Sequence, residues 1–135
     1  MASMGNQKGE SKNENDKAKW KKEFIARLLT FSVSIFRLCD VLRENRTLWA
    51  LSDQLIRCSS SVGANVVEAQ SAHSKNDYIK FFEIALKSSN ETKYWLLLAK
   101  TYDKKYAPDA ERLLNEATEI NNIIAASVLT LKGKR

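Results

Sequence analysis

Apolar residues recur at intervals of three and four along most of the chain after residue 23, with polar residues between them. This spacing places apolar side chains on one face of an α-helix. Four such stripes are separated by short polar breaks, and short connections make consecutive long helices antiparallel. The pattern predicts an all-α fold, an antiparallel up-down-up-down four-helix bundle. The four stripes consist of Phe24, Leu28, Phe31, Ile35, Leu38 and Leu42; Leu51, Leu55, Cys58, Val62, Val66 and Ala69; Tyr78, Phe82, Ala85, Ser89, Thr92, Leu96 and Ala99; and Ala110, Leu113, Ala117, Ile120, Ile124, Val128 and Leu131.

Cap residues in the breaks predict where three helices begin. Thr47 is a plausible N-cap for the second helix. Ser74 followed by Asp77 resembles a capping box for the third, and Pro108 fits the first turn of the fourth.

Small residues interrupt the second helix, where the chain reads "SSSVGA" over residues 59–64. Folding about a corner near residues 72–73 would place residue i of this helix opposite residue 145 − i of the third. The small run would then face residues 81–86, and small residues facing large ones let helices approach closely. A weakened, hinge-like helix is the alternative interpretation.

Apolar residues cover more surface than one bundle core requires. Helix 1 carries a second stripe beside the first, and the third helix is apolar on additional faces. Because monomers rarely expose large apolar patches, we expect self-association, with an unknown protein partner as the alternative. These additional positions are Ile25, Leu29, Ser32, Phe36 and Cys39 in helix 1, and Ile79, Phe81, Ile84, Leu86, Trp95, Leu97 and Leu98 in helix 3.

Positive charge is concentrated at the two ends of a chain whose net charge is +6. Residues 1–16 are polar and aperiodic, which predicts a disordered tail before a bundle domain over residues 17–135. Helix 1 begins and helix 4 ends at the same pole of the bundle, so the terminal cations should meet there. Clustered cations attract phosphate and release counterions, which makes them candidate nucleic-acid-binding residues. They are Lys17, Lys19, Lys21, Lys22, Lys132, Lys134 and Arg135.

Catalytic and metal-binding patterns are missing from the sequence. His73 is the only histidine and lies in a predicted corner, and Cys39 and Cys58 are predicted to be buried free thiols. We therefore expect no enzyme, no cofactor and no metal. The sequence has no run of about 18 apolar residues, so no membrane span is predicted. No leader is recognised, so a cytoplasmic location is expected. Polar positions on the inner helices are interpreted as a structural network rather than a pocket; its candidate members are Arg57, Asn65, Glu68 and Glu91.

Residues 59–96, "SSSVGANVVEAQSAHSKNDYIKFFEIALKSSNETKYWL", carry a family resemblance. The small-residue run, the Asn and Glu after it, the "SK-x-D" corner, the "IAL" core and the "ET-x-YWL" segment resemble the bacterial four-helix bundle proteins related to those encoded by intervening sequences in 23S rRNA genes. The resemblance implies a four-helix bundle that assembles into a homopentamer, and it supplies no catalytic residues. A distant relative is the accessory protein of diversity-generating retroelements, which implies RNA or DNA and a reverse transcriptase as partners.

Two classes of function follow. The basic ends favour an assembly protein that associates with nucleic acid as an accessory to a nucleic-acid-processing system. The neutral body, with 13 basic and 13 acidic residues over positions 23–131, and the missing RNA- or DNA-reading motifs favour a structural or protein-interaction scaffold.

Overall fold

Four antiparallel helices form the structure, a computed structural model that describes the backbone of residues 2–134 and the side chains of residues 14–134. The helices are α1 (Ala2–Leu42), α2 (Trp49–Ala69), α3 (Lys75–Tyr102) and α4 (Ala107–Leu131), and single 3-10 turns precede α2 and α4. Helices α1 and α3 each pack against both α2 and α4. The predicted fold class is confirmed. Most of the predicted tail, residues 1–16, lies outside the described side chains, so its disorder stays a prediction.

The predicted apolar stripes form the core. Every member in α1 and α2 is buried, as is every member in α3 and α4 except Tyr78 and Leu131, which are half-buried. Burial of these faces is the main stabilising contribution to the fold. None of the described helices is long and apolar enough to cross a membrane.

Helix starts agree with the sequence at two of the three caps. The Ser74 hydroxyl accepts the Asp77 N–H at 3.1 Å, and Pro108 lies in the first turn of α4. The prediction for Thr47 is wrong, because Asn45 Oδ1 accepts the Thr47 N–H at 3.0 Å. An Asn side chain readily bonds to the backbone two residues onward, and here it caps a 3-10 turn that precedes α2.

The register between α2 and α3 differs from the predicted one by about one helical turn. The Ser88 hydroxyl donates to the Ser61 hydroxyl at 2.9 Å, although the idealised corner would have placed residue 84 there. Residues 70–74 do not form a tight reverse turn directly after α2, and the backbone of Ser74 is extended. The first turn of α3 therefore projects past the end of α2. The predicted packing of the small run against residues 81–86 is wrong.

The small residues of α2 serve two helix interfaces. A Cβ on Gly63 would lie 3.5 Å from Leu28 Cβ, so this glycine faces α1. The Ser32 hydroxyl donates to the Ser59 carbonyl at 3.2 Å across the same interface, whereas Ser61 faces α3. Since α2 packs on both neighbours, small side chains are needed on two of its faces.

Candidate nucleic-acid interface

Arg57 and Glu91 join α2 to α3 at the surface. The Arg57 guanidinium donates to Glu91 Oε2 and also to Gln54 Oε1, the latter at 2.7 Å from Nη2. The Trp95 indole N–H donates to the same Glu91 oxygen at 2.9 Å. Glu91 thus accepts from two helices, which suits it to hold their relative position.

The other proposed network members lie elsewhere. Asn65 Nδ2 donates to the Ser61 carbonyl at 2.8 Å, within its own helix. Glu68 is exposed and shares a shallow cleft with Asp77 and Lys80 at the corner. At 1.5 Å of rise per residue, Arg57 and Glu68 are about 16 Å apart along the axis. The single network predicted from the sequence is therefore three separate groups.

A mostly buried polar seam runs across α2, α3 and α4. Thr92 donates to the Ser88 carbonyl at 2.8 Å, and its hydroxyl lies 3.1 Å from Cys58 Sγ. Asn121 Nδ2 donates to the Ser89 hydroxyl at 2.7 Å. We call Cys58, Ser61, Ser88, Ser89, Thr92 and Asn121 the polar seam. Each member has a hydrogen-bonding neighbour on an adjacent helix or on its own helix at the interface. The seam therefore specifies the register between the helices and does not form an open site.

An ion pair between α1 and α4 was missed in the sequence. Arg27 donates from Nε and Nη2 to the two carboxylate oxygens of Glu116, at 2.9 and 2.6 Å, and from Nη2 to Glu119 at 3.0 Å. These hydrogen bonds lower the pKa of the Glu116 carboxyl. Arg27 is next in sequence to Leu28, a member of the α1 stripe, and each glutamate is next in sequence to a core position of α4. Opposite charges beside the stripes of adjacent helices were the available signal.

The thiols and the histidine form no catalytic group. Burial raises the pKa of the Cys39 thiol to about 11, and burial also raises the pKa of Cys58, so both thiols are protonated at neutral pH and poorly nucleophilic. His73 is exposed at the corner. Over residues 14–134, no cluster of three His, Cys, Asp or Glu side chains could hold a metal ion.

Two clefts bring the candidate cations together at one end of the bundle. We call this end the basic pole. The first cleft, the lysine cleft, includes Lys132 and Lys134 together with two cations absent from the sequence prediction, Lys75 and Lys80. Lys132 Nζ is paired with Glu83 at 2.8 Å. For Lys75, Lys80 and Lys134, no described carboxylate lies within ion-pair distance.

The second cleft, the aromatic cleft, has a volume of about 800 Å³. Helix α1 contributes Lys17, Trp20 and Lys21, and α3 contributes Tyr78 and Phe82. Its other lining residues are Asp16 and, from α4, Ile123, Ala126, Ser127, Thr130 and Leu131. Leu131 also lines the lysine cleft, so the two clefts adjoin at the end of α4.

The remaining predicted cations are distributed around this pole. Lys22 is exposed, and exposed Lys19 lies 3.9 Å from Glu23. Arg135 lies outside the described residues. The structure thus brings Lys17 and Lys21 into one cleft and Lys132 and Lys134 into the adjoining one.

Exposed apolar side chains form two patches on diagonally opposite helices. The α1 patch consists of Leu29, Val33 and Phe36, and the α3 patch of Tyr94, Leu97, Leu98 and Tyr102. Leu29 is 67% exposed and Tyr94 is 58% exposed. Their spacing, at positions three and four apart, places each set on one helix face.

Comparison with known proteins identifies a family and similar solved structures. Residues 21–126 match the sequence model of the 23S rRNA-intervening sequence protein family. A Bacteroides thetaiotaomicron protein of unknown function from the S23 ribosomal protein family, solved by crystallography at 1.70 Å, is 34% identical with a TM-score of 0.73. The similarity covers 78% of this chain and 97% of that one. A search of curated proteins finds no match.

Proposed function

Because the chain belongs to the 23S rRNA-intervening sequence protein family, we propose that it is a non-catalytic, oligomeric bundle that associates with nucleic acid through its basic pole. The observation that carries the proposal is the meeting of the aromatic and lysine clefts at Leu131. Cations from α1, from α3 and from the residues directly after α4 surround this junction, although they are distant in sequence. A phosphate backbone could follow the two clefts continuously.

Electrostatics supports the location at the pole. The body of the chain is neutral over residues 23–131, so the excess charge belongs to the two ends. Lysines contact phosphate as point charges without reading bases, and phosphate contacts position a nucleic acid rather than select its sequence. We therefore expect RNA and DNA to bind with little sequence preference.

The two apolar patches support self-association. A two-fold dimer joins the same patch on both subunits, whereas two different patches on opposite helices suit a head-to-tail contact that closes into a ring. The family resemblance favours five subunits. Light scattering at micromolar concentration should then give about five times 15.4 kDa, and a stable monomer would contradict the assembly.

The binding test compares two double variants with a matched control. Lys17→Gln with Lys21→Gln removes two charges from the aromatic cleft, and Lys75→Gln with Lys134→Gln removes two from the lysine cleft. Fluorescence polarisation with labelled RNA, single-stranded DNA and duplex DNA would be measured at low and moderate salt. We expect each double variant to bind at least about tenfold more weakly and to show a shallower salt dependence.

The control replaces Lys104 and Lys105 by Gln at the opposite pole, where both side chains are exposed. It removes the same charge, and Lys105 covers a tyrosine ring at 5.1 Å much as Lys21 covers Tyr78 at 5.5 Å. Equal loss in the control and in both test variants would show that only net charge matters. Unchanged binding in both test variants would refute the basic pole as the interface.

A protein-interaction scaffold is the second candidate function, and the α3 patch is the observation that favours it. If the subunits do not join through that patch, a protein partner would occupy it; the resemblance suggests a reverse transcriptase. Failure of the wild-type protein to bind any of the three nucleic acids at low salt would favour this function. A cytoplasmic location belongs to either proposal, because two buried free thiols suit a reducing compartment.

A further inference from the structure

We propose that the aromatic cleft holds an unpaired base of a single-stranded nucleic acid, stacked on Trp20, while the adjacent phosphates contact Lys17 and Lys21. This inference rests on the proposed function and gives it a strand preference, because lysines alone would bind duplex and single strands alike. Duplex bases are already stacked and cannot enter the cleft.

Trp20 has the surroundings of a stacking platform. Its ring stacks on buried Phe24 with centroids 5.3 Å apart and an interplanar angle of 17°. This contact covers one side of the indole and fixes its orientation, yet the side chain remains 44% exposed and lines the cleft. Tyr78 is held similarly, stacked on buried Phe82 at 4.9 Å. Aromatic rings fixed before binding lose little conformational entropy when a base stacks on them.

Charge complementarity identifies the occupant. Lys17 and Lys21 stand one turn apart on α1 and line the same cleft as Trp20, so cationic groups lie beside an aromatic surface. A nucleotide has the matching parts, a flat base and an anionic phosphate. Asp16 also lines the cleft and would repel phosphate, but the two lysines outweigh it.

A second copy of the chain is a weaker occupant for this cleft. Lysine is depleted from the cores of protein interfaces, and here two lysines line the space. The α1 and α3 patches, which lack lysine, offer more suitable surfaces for subunit contacts. The cleft therefore remains accessible to a ligand in the proposed ring.

The test compares an oligothymidylate of about ten nucleotides with an abasic oligomer of the same length. Both carry the same phosphates, so the ratio of their dissociation constants isolates the contribution of the bases. Stacking on an aromatic side chain changes affinity by about fivefold or more per base. We expect the wild-type protein to prefer oligothymidylate by at least this factor, and Trp20→Ala to lose most of the preference while binding the abasic oligomer as before.

Two further variants serve as controls. Trp20→Phe retains an aromatic ring and should keep most of the preference. Trp49→Ala removes a tryptophan of similar exposure, 48%, which also lies beside a cation, Arg46, but does not line the cleft. This variant should behave as the wild type.

Several outcomes would overturn the inference. The first is a wild-type protein that binds both oligomers with equal affinity. The second is a Trp20→Ala variant that keeps the preference for oligothymidylate, and the third is a Trp20→Ala variant that loses affinity for both oligomers to the same extent. A lower mass of Trp20→Ala in light scattering would assign the cleft to a neighbouring subunit. In each case, salt-dependent binding of the abasic oligomer would leave the proposed function intact, whereas failure of the wild type to bind any nucleic acid would remove both.

Discussion

Substitutions at Gly63 should have opposite effects depending on the size of the new side chain. A Cβ at this position would lie 3.5 Å from Leu28 Cβ, which is ordinary van der Waals distance. Gly63→Ala therefore fits without displacement and gains up to about 1 kcal/mol of helix propensity. Gly63→Leu places three more carbons against Leu28, which is only 1% exposed and cannot move aside. This overpacking should destabilise the protein by about 1–3 kcal/mol.

Urea unfolding followed by far-UV circular dichroism would measure both effects. All variants must be compared at one protein concentration, because association makes apparent stability concentration-dependent. A change of 1 kcal/mol corresponds to a shift of roughly 0.3–1 M in the urea midpoint. Ala64→Leu is the control: this neighbouring position is exposed, and its effect should stay within about 0.5 kcal/mol. A destabilising alanine or a neutral leucine at position 63 would refute the contact between Gly63 and α1.

Two other predictions concern ion pairs between helices. Arg57→Ala and Glu91→Ala should each destabilise the protein, and the double variant should lose less stability than the sum of the two. This difference should be under about 1 kcal/mol, because both groups are partly exposed. Glu91→Ala should be the more destabilising single change, because Trp95 also loses its acceptor, and strict additivity would disprove the coupling. Arg27 lowers the pKa of Glu116, so their pairing should stabilise the protein above the ordinary pKa of 4.5 and cease to do so as pH falls through the lower, folded-state value. The stability difference between wild type and Arg27→Met should therefore shrink on acidification in urea titrations, and a pH-independent difference would contradict this assignment.

The sequence predicts the core well because burial follows directly from periodicity. Positions such as Leu55, Phe82 and Ile120 are buried because the apolar stripe is the face that each helix packs against its neighbours. The same pattern predicts the helix directions. It does not predict the offset along the axis, which depends on how residues 70–74 leave α2. One turn of offset leaves the stripes intact but changes which residues of α2 and α3 lie opposite each other, so that Ser61 meets Ser88 rather than residue 84.

The candidate interface is predictable only in part. That the two ends of the chain share a pole follows from an even number of antiparallel helices. The contribution of Lys75 and Lys80 depends on the projection of α3 past α2, which periodicity does not show. Trp20 precedes the first predicted core position, Phe24, by one turn, and its stacking on that residue continues the stripe beyond the core. A ring that is partly covered and partly exposed cannot be recognised from spacing alone.

The polar seam has a mechanical consequence for the bundle. Apolar contacts between helices do not require one particular partner atom, whereas hydrogen bonds between helices do. Sliding α3 by one residue would separate Thr92 from Cys58 and Ser88 from Ser61. It would also strand buried polar atoms, each at a cost of about 1–3 kcal/mol. The middle of the bundle should therefore resist shear. A force applied at the basic pole would rotate the whole subunit or unwind the terminal turns of its helices. It would not move one helix along its axis relative to the others.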